Sequence, residues 1–293
     1  MNLASSRKRT LFLVLLSMAA IATVAVMATL QYQTISDYRS IGEIKVLASD
    51  IQSNLLNLRR NEKDFLVHKD LRYQNRFSHN FDLTRANTER LTVSLRDRGL
   101  DDTKVSLLTE SLADYRSRFQ QLVKLQQQIG FHHEDGYYGS MRESIHRAER
   151  ILQMLGQDRL LKDMLMLRRH EKDFMLRKQV GYLEKFDSEM GVMRDDLARA
   201  YIDHRAKREI LSALNAYETD FKALASATRE MGFNSDEGLH REVHESVQHG
   251  EETLEELRRY ILLEESNAGS SMINQLIASA IVLTILITAL IRL

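Results

Sequence analysis

Leu58-Arg59-Arg60-Asn61-Glu62-Lys63-Asp64-Phe65-Leu66 returns as Leu167-Arg168-Arg169-His170-Glu171-Lys172-Asp173-Phe174-Met175, with seven of nine positions identical. Two near-copies of a charged, helix-compatible segment mark a duplicated unit, and an internal repeat has to be settled before any local signal is read. The likeness extends outward. Gly130-Phe131-His132-His133-Glu134-Asp135-Gly136 resembles Gly232-Phe233-Asn234-Ser235-Asp236-Glu237-Gly238, Arg142-Glu143-Ser144-Ile145 resembles His244-Glu245-Ser246-Val247, and Tyr115 and Phe119 match Tyr217 and Phe221. The first block is offset by 167 − 58 = 109 residues and the later ones by 232 − 130 = 102, a difference of seven. Seven residues are about two helical turns, so one copy is a shortened version of the other with its buried face nearly in register.

Composition points the same way. The chain has no Pro, no Trp and 12 Gly in 293 residues, a poor supply of turn formers and helix breakers. Long helices with short connections follow. There is no Cys, hence no disulfide framework and no thiolate metal site. Lys+Arg and Asp+Glu both number 41, so no clustered basic face argues for nucleic acid.

Both ends read as membrane segments. Leu11 to Leu30 carries no charge and follows Arg7, Lys8 and Arg9. About 20 apolar residues cross a bilayer as a helix, and the basic flank predicts a cytoplasmic N-terminus. The run is long for a cleaved signal peptide. A second span is expected over 272–291. The boundaries are then 1–10 cytoplasmic, 11–30 first span, 31–271 external, 272–291 second span and 292–293 cytoplasmic, with internal repeats at about 44–150 and 151–260. In a bacterium this is a two-pass inner-membrane protein with its external region in the periplasm. A sensor that stops one residue after Arg292 has no output of its own, so a fragment or truncated product is expected.

Within the external region Ile44, Leu47, Ile51, Leu55, Leu58, Glu62 and Phe65 form a stripe at spacings of three and four. Glu62 on that stripe predicts an acid directed at the bundle interior. Helices are expected at about 71–95, from an N-cap at Asp101 or Asp102 to Ile129, at about 138–175 as one long helix, and at about 180–200 and 204–231. Amphipathic helices of this length bury their stripes in four-helix bundles, and the length suits two. The expected fold is all-α: two stacked four-helix bundles between two transmembrane helices.

The paired RRxEKDF segments, the paired GF-x(2)-[ED](2)-G loops and the two anchors resemble the helical bimodular ligand-binding domain of bacterial methyl-accepting chemoreceptors and sensor kinases. The resemblance covers roughly residues 35–270 with the flanking anchors. It implies two bundles that each can bind a ligand, small carboxylates such as tricarboxylic-acid intermediates and acetate as the ligand class, and a homodimer. It also implies a HAMP linker and a methyl-accepting region, which this sequence lacks. By family frequency a chemoreceptor is expected. The sensor part of a histidine kinase, a membrane-anchored helical scaffold, and a receptor for a ligand-loaded periplasmic protein are the alternatives.

Arg59, Arg60 and Lys63 form one candidate carboxylate clamp, with Arg241 and His244 on the last helix as partners. Arg168, Arg169 and Lys172 form the other, with Arg142 and His146 opposite. Guanidinium forks match carboxylates in a bidentate way. The competing reading is that Glu62, Asp64, Glu171 and Asp173 merely neutralise these cations, as surface pairs worth about 0–1 kcal/mol do. His240, His244 and His249 lack a matching ligand set for a metal, and the Met residues at helical spacing read as core. No P-loop, G-x-S-x-G, H-E-x-x-H or nucleophilic Cys occurs, so neither catalysis nor a cofactor is expected.

Overall fold

A computed structural model describes the backbone of residues 3–292 and the side chains of residues 14–288 except Leu16. The described residues form eight helices and no strand: α1 (Leu3–His68), α2 (Leu71–Arg96), α3 (Thr103–Ile129), α4 (Gly136–Met154), α5 (Asp158–Arg177), α6 (Gly181–Arg199), α7 (His204–Met231) and α8 (Gly238–Arg292). The fold is all-α, as the shortage of turn formers predicts. The seven-residue difference between the repeat offsets is the difference between α2, with 26 residues, and α6, with 19.

One long helix was expected over 138–175, but it is two. Gly156 takes a left-handed conformation with φ 63°. Its N–H donates to the Gln153 carbonyl, and Gln157 N–H donates to that of Leu152, at 3.1 and 3.0 Å. This is the Schellman pattern that ends a helix on glycine. The first copy has Leu47 at the equivalent place (156 − 109 = 47), and α1 runs on unbroken.

The chain divides into two compact units. The first holds the chain up to Asn57, Asn80–Glu110 and the part from Gly250 onward. Its interior is a stripe of Ile44, Ile51, Leu55, Leu91, Leu95, Val105, Leu108, Leu257 and their neighbours. Thr84 and Thr88 are buried among them, and each hydroxyl donates to the carbonyl four residues back, at 2.7 and 2.8 Å. Neither hydroxyl is thereby left unpaired. Lys45–Glu265 at 2.8 Å and Lys104–Glu256 at 2.6 Å tie α8 to its neighbours at the surface.

Toward their far ends α1 and α8 become apolar, with mean hydropathy 1.3 and 1.9 over the best 18-residue windows and none of either window buried. Ile21, Val26, Leu30, Ile277, Ile281 and Ile285 stand exposed. The hydroxyls of Thr23, Thr29 and Thr284 bond inward to carbonyls four residues back, which suits a medium without water. These two helices have the length and composition to cross a membrane. The side chains of Arg7, Lys8, Arg9 and Arg292, which bear on orientation, lie outside the described residues.

The second unit comprises Leu58–His79 and Ser111–His249. Here the duplication is visible atom by atom. Phe65 meets Phe119 and Phe131 edge-on at 5.6 and 6.2 Å, and Phe174 meets Phe221 and Phe233 edge-on at 5.7 and 6.3 Å. Phe77 lies 4.2 Å from Phe119, as Phe186 lies 4.3 Å from Phe221. Lys69 and Lys178 are both left-handed, with φ 50° and 52°. Leu125, Ile129, Ala227 and Met231 form a small cluster joining the ends of α3 and α7, with Tyr137 and Tyr138 against it.

The two GF loops share one backbone. Gly130 and Gly232 have φ 111° and 101°, and Gly136 and Gly238 both have φ 53°. A Cβ at Gly232 would collide with the Glu237 carbonyl, and one at Gly238 with that of Glu230. Both the φ and the collision argue that Gly232→Ala lowers the unfolding free energy by at least about 1–3 kcal/mol, read as a drop in Tm.

Among the differences between copies is a pair of buried acids, Asp163 and Asp196, where the first copy has Asn54 and Asn87. Arg159 holds Asp196 at 2.7 and 3.1 Å, and Arg199 also reaches it. Asp163 Oδ2 has no hydrogen-bond partner. Burial, then the Asp196 charge, raises the Asp163 carboxyl above its ordinary range. A raised folded-state pKa means the native state holds its proton longer than the unfolded chain. Stability from this group therefore falls as pH rises from the ordinary carboxyl pKa through the native one. Asp163→Asn should raise Tm at pH 7 by a few degrees, and the gain should vanish below about pH 4.

Candidate functional site

The repeated charged segment lies at the C-terminal end of both α1 and α5. In each copy its glutamate turns inward. Tyr115 Oη donates to Glu62 at 2.6 Å, and Tyr217 Oη donates to Glu171 at 2.5 Å. Tyr217 is fully buried and Glu171 nearly so. Burial raises both carboxyls above the usual range. It is opposed by the tyrosine hydrogen bond in each, by Arg59, Lys63 and His244 around Glu62, and by Arg168 and Lys172 around Glu171. The Tyr217 hydroxyl is pushed far up, first by burial and then by the carboxylate it faces.

The sequence candidates separate into two groups. Arg59, Lys63 and His244 surround Glu62, and Arg168 and Lys172 surround Glu171. Arg60 and Arg169 turn outward, 80% and 70% exposed, each 3.9 Å from the aspartate four residues on. Helix geometry separates them: residues i and i+4 share a face, whereas i+1 sits about 100° away. Arg241 is also outward, 3.7 Å from Glu245.

Above Glu171 the second copy opens a cavity of about 500 Å³. Arg142 enters from α4, Arg168 and Lys172 from α5, and His133 from the first GF loop. Met141, Ile145 and Met175 give it an apolar side, and Tyr138 stands beside the carboxylate. Glu149 fixes two members of the wall, accepting from Arg168 at 3.5 Å and meeting His146 Nδ1 at 3.0 Å. A cavity of this size suits a small ligand, with convergent polar groups on an apolar wall. Three cations against Glu171 and Glu149 leave it with a net positive charge.

No protein-family model matches the chain, and no significant match is found among curated proteins. The site is therefore read from its own chemistry. Arg142, Arg168 and Lys172 can bind a carboxylate or another small anion, and Tyr138 and the methionines can cover its carbon skeleton. Among the described residues no group of three or more His, Asp or Glu converges as metal ligands. By the repeat, Arg142 and Tyr138 correspond to His244 (142 + 102 = 244) and His240 (138 + 102 = 240) on α8.

Sequence reasoning placed the cations and the inward Glu62, but not the tyrosine that receives each glutamate. The signal was present, since Tyr115 and Tyr217 recur at the same offset as the GF loops. Tyr217→Phe leaves a buried carboxylate without its donor, so the unfolding free energy should fall by about 1.5–3 kcal/mol, measured by chemical denaturation. Tyr115→Phe should act in the same direction.

Proposed function

We propose that this chain is the sensing region of a bacterial transmembrane chemoreceptor of the helical bimodular kind, binding a small carboxylate outside the inner membrane. The cavity over Glu171 carries the reading. It brings Arg142, Arg168 and Lys172 from two helices onto one apolar-walled space. The apolar ends of α1 and α8 support a two-pass anchor, and the duplicated RRxEKDF and GF segments support the family. The region between the anchors is periplasmic and works as a homodimer in this reading. A bound carboxylate draws α4 and α5 together through the cations. It biases the unit toward one helix arrangement only by its differential affinity for the two.

The full chain in nanodiscs, titrated calorimetrically with acetate, succinate and malate, tests the proposal. At least one carboxylate should bind, and Arg168→Ala should weaken it by about 10–100-fold, the loss of a charge-assisted pair. The outward Arg60→Ala should leave binding unchanged. A folded chain that binds none of the three would move the assignment to a protein partner. A histidine-kinase output is compatible with the same sensor.

A further inference from the structure

A second electropositive space lies away from the Glu171 cavity and shares no lining residue with it. It is a groove of about 730 Å³ between the C-terminal half of α4 and the N-terminal end of α7. Arg147 and Arg150 line one side, Arg205 and Arg208 the other. Each pair is spaced i, i+3, so both guanidinium groups of a pair point to one face of their helix. Ile151 and Met154 provide an apolar floor, and Gln153 and Ser212 add polar contacts.

The charge is only partly neutralised. Arg147 donates to Glu143 at 3.3 Å and Arg205 to Glu209 at 3.1 Å. Among the described residues Arg150 and Arg208 have no ion pair. Asp203, at the start of α7, also feels the charges of Arg205 and Arg208, so four guanidinium groups against Glu143, Glu209 and Asp203 leave a local charge of 4 − 3 = +1. Like charges on neighbouring turns oppose folding slightly, so nothing in the helix pair itself favours this arrangement.

The duplication supplies an internal control. Shifted by 102 residues, Arg147, Arg150, Gln153 and Met154 become His249, Glu252, Glu255 and Glu256, while Arg205 and Arg208 become Thr103 and Ser106. The equivalent positions, on α8 and α3, are acidic or neutral. The arginines are therefore a property gained or kept by one copy, whereas the buried Glu–Tyr pair is kept by both. Planar forks arriving from two helices fit oxyanions spaced a few ångströms apart, and the apolar floor fits a short carbon chain or linker between them.

We propose that this groove binds a small polyanion bearing two or more phosphate or carboxylate groups, at a site independent of the Glu171 cavity. The full chain in nanodiscs is titrated with inorganic pyrophosphate and with citrate in 150 mM salt. Pyrophosphate or citrate should bind, and the R150A/R208A double variant should lose at least tenfold in affinity. Arg168→Ala should leave that affinity unchanged while weakening simple carboxylates. Binding that survives R150A/R208A, or that is lost only in Arg168→Ala, overturns the assignment, as does the absence of binding by both probes. Because the two sites answer to different variants, failure here leaves the carboxylate titration interpretable on its own.

Discussion

A carboxylate buried against a tyrosine hydroxyl is the constraint around which each copy is organised. Removing Glu62 or Glu171 from water is unfavourable unless hydrogen bonds and cations compensate. The tyrosine supplies the first, and the residues three before and one after the glutamate supply the second. That requirement fixes the rotation of α1 and α5 about their axes. With the glutamate inward, Phe65 and Phe174 three residues on must enter the core, and Arg59 and Arg168 must stand at its rim. The outward course of Arg60 and Arg169 follows from the same rotation. In the second copy the rim cations then line the cavity of about 500 Å³, so its electropositive lining is a by-product of how the acid is accommodated.

Much of this was legible in the residues. The repeat, the all-helical class, the ends of α2, α3, α6 and α7 and the inward Glu62 all rest on spacing, which is a local property. Asp101 behaves as the expected start of α3, accepting from Thr103 N–H at 3.0 Å. The break at Gly156 was missed because the charged motif continues a helical pattern on both sides. One glycine in the left-handed region overrides that pattern. The partition of the cations into rim and outer faces was also within reach of helix geometry. The pairing of Glu149 with Arg168 was not, because it depends on how α4 lies along α5.

The two copies agree inside and differ outside. The aromatic contacts and the glycine conformations repeat to within small shifts in distance and angle. Inside, the buried Asp163–Asp196 pair is an exception that answers two asparagines; outside, an arginine-lined groove answers a row of glutamates. Packing limits substitutions at the interior because volume and hydrogen bonding are both fixed there. Surface positions have no such restriction and record what each copy meets.

The small cluster at the ends of α3 and α7 has one further consequence. Leu125 and Ala227 are equivalent positions, as are Ile129 and Met231 (125 + 102 = 227; 129 + 102 = 231), and all four belong to the same patch. A patch built from the same positions of both copies is what a two-fold axis produces when identical subunits meet. Within this one chain the two copies thus meet through equivalent positions, as the subunits of a symmetric pair would.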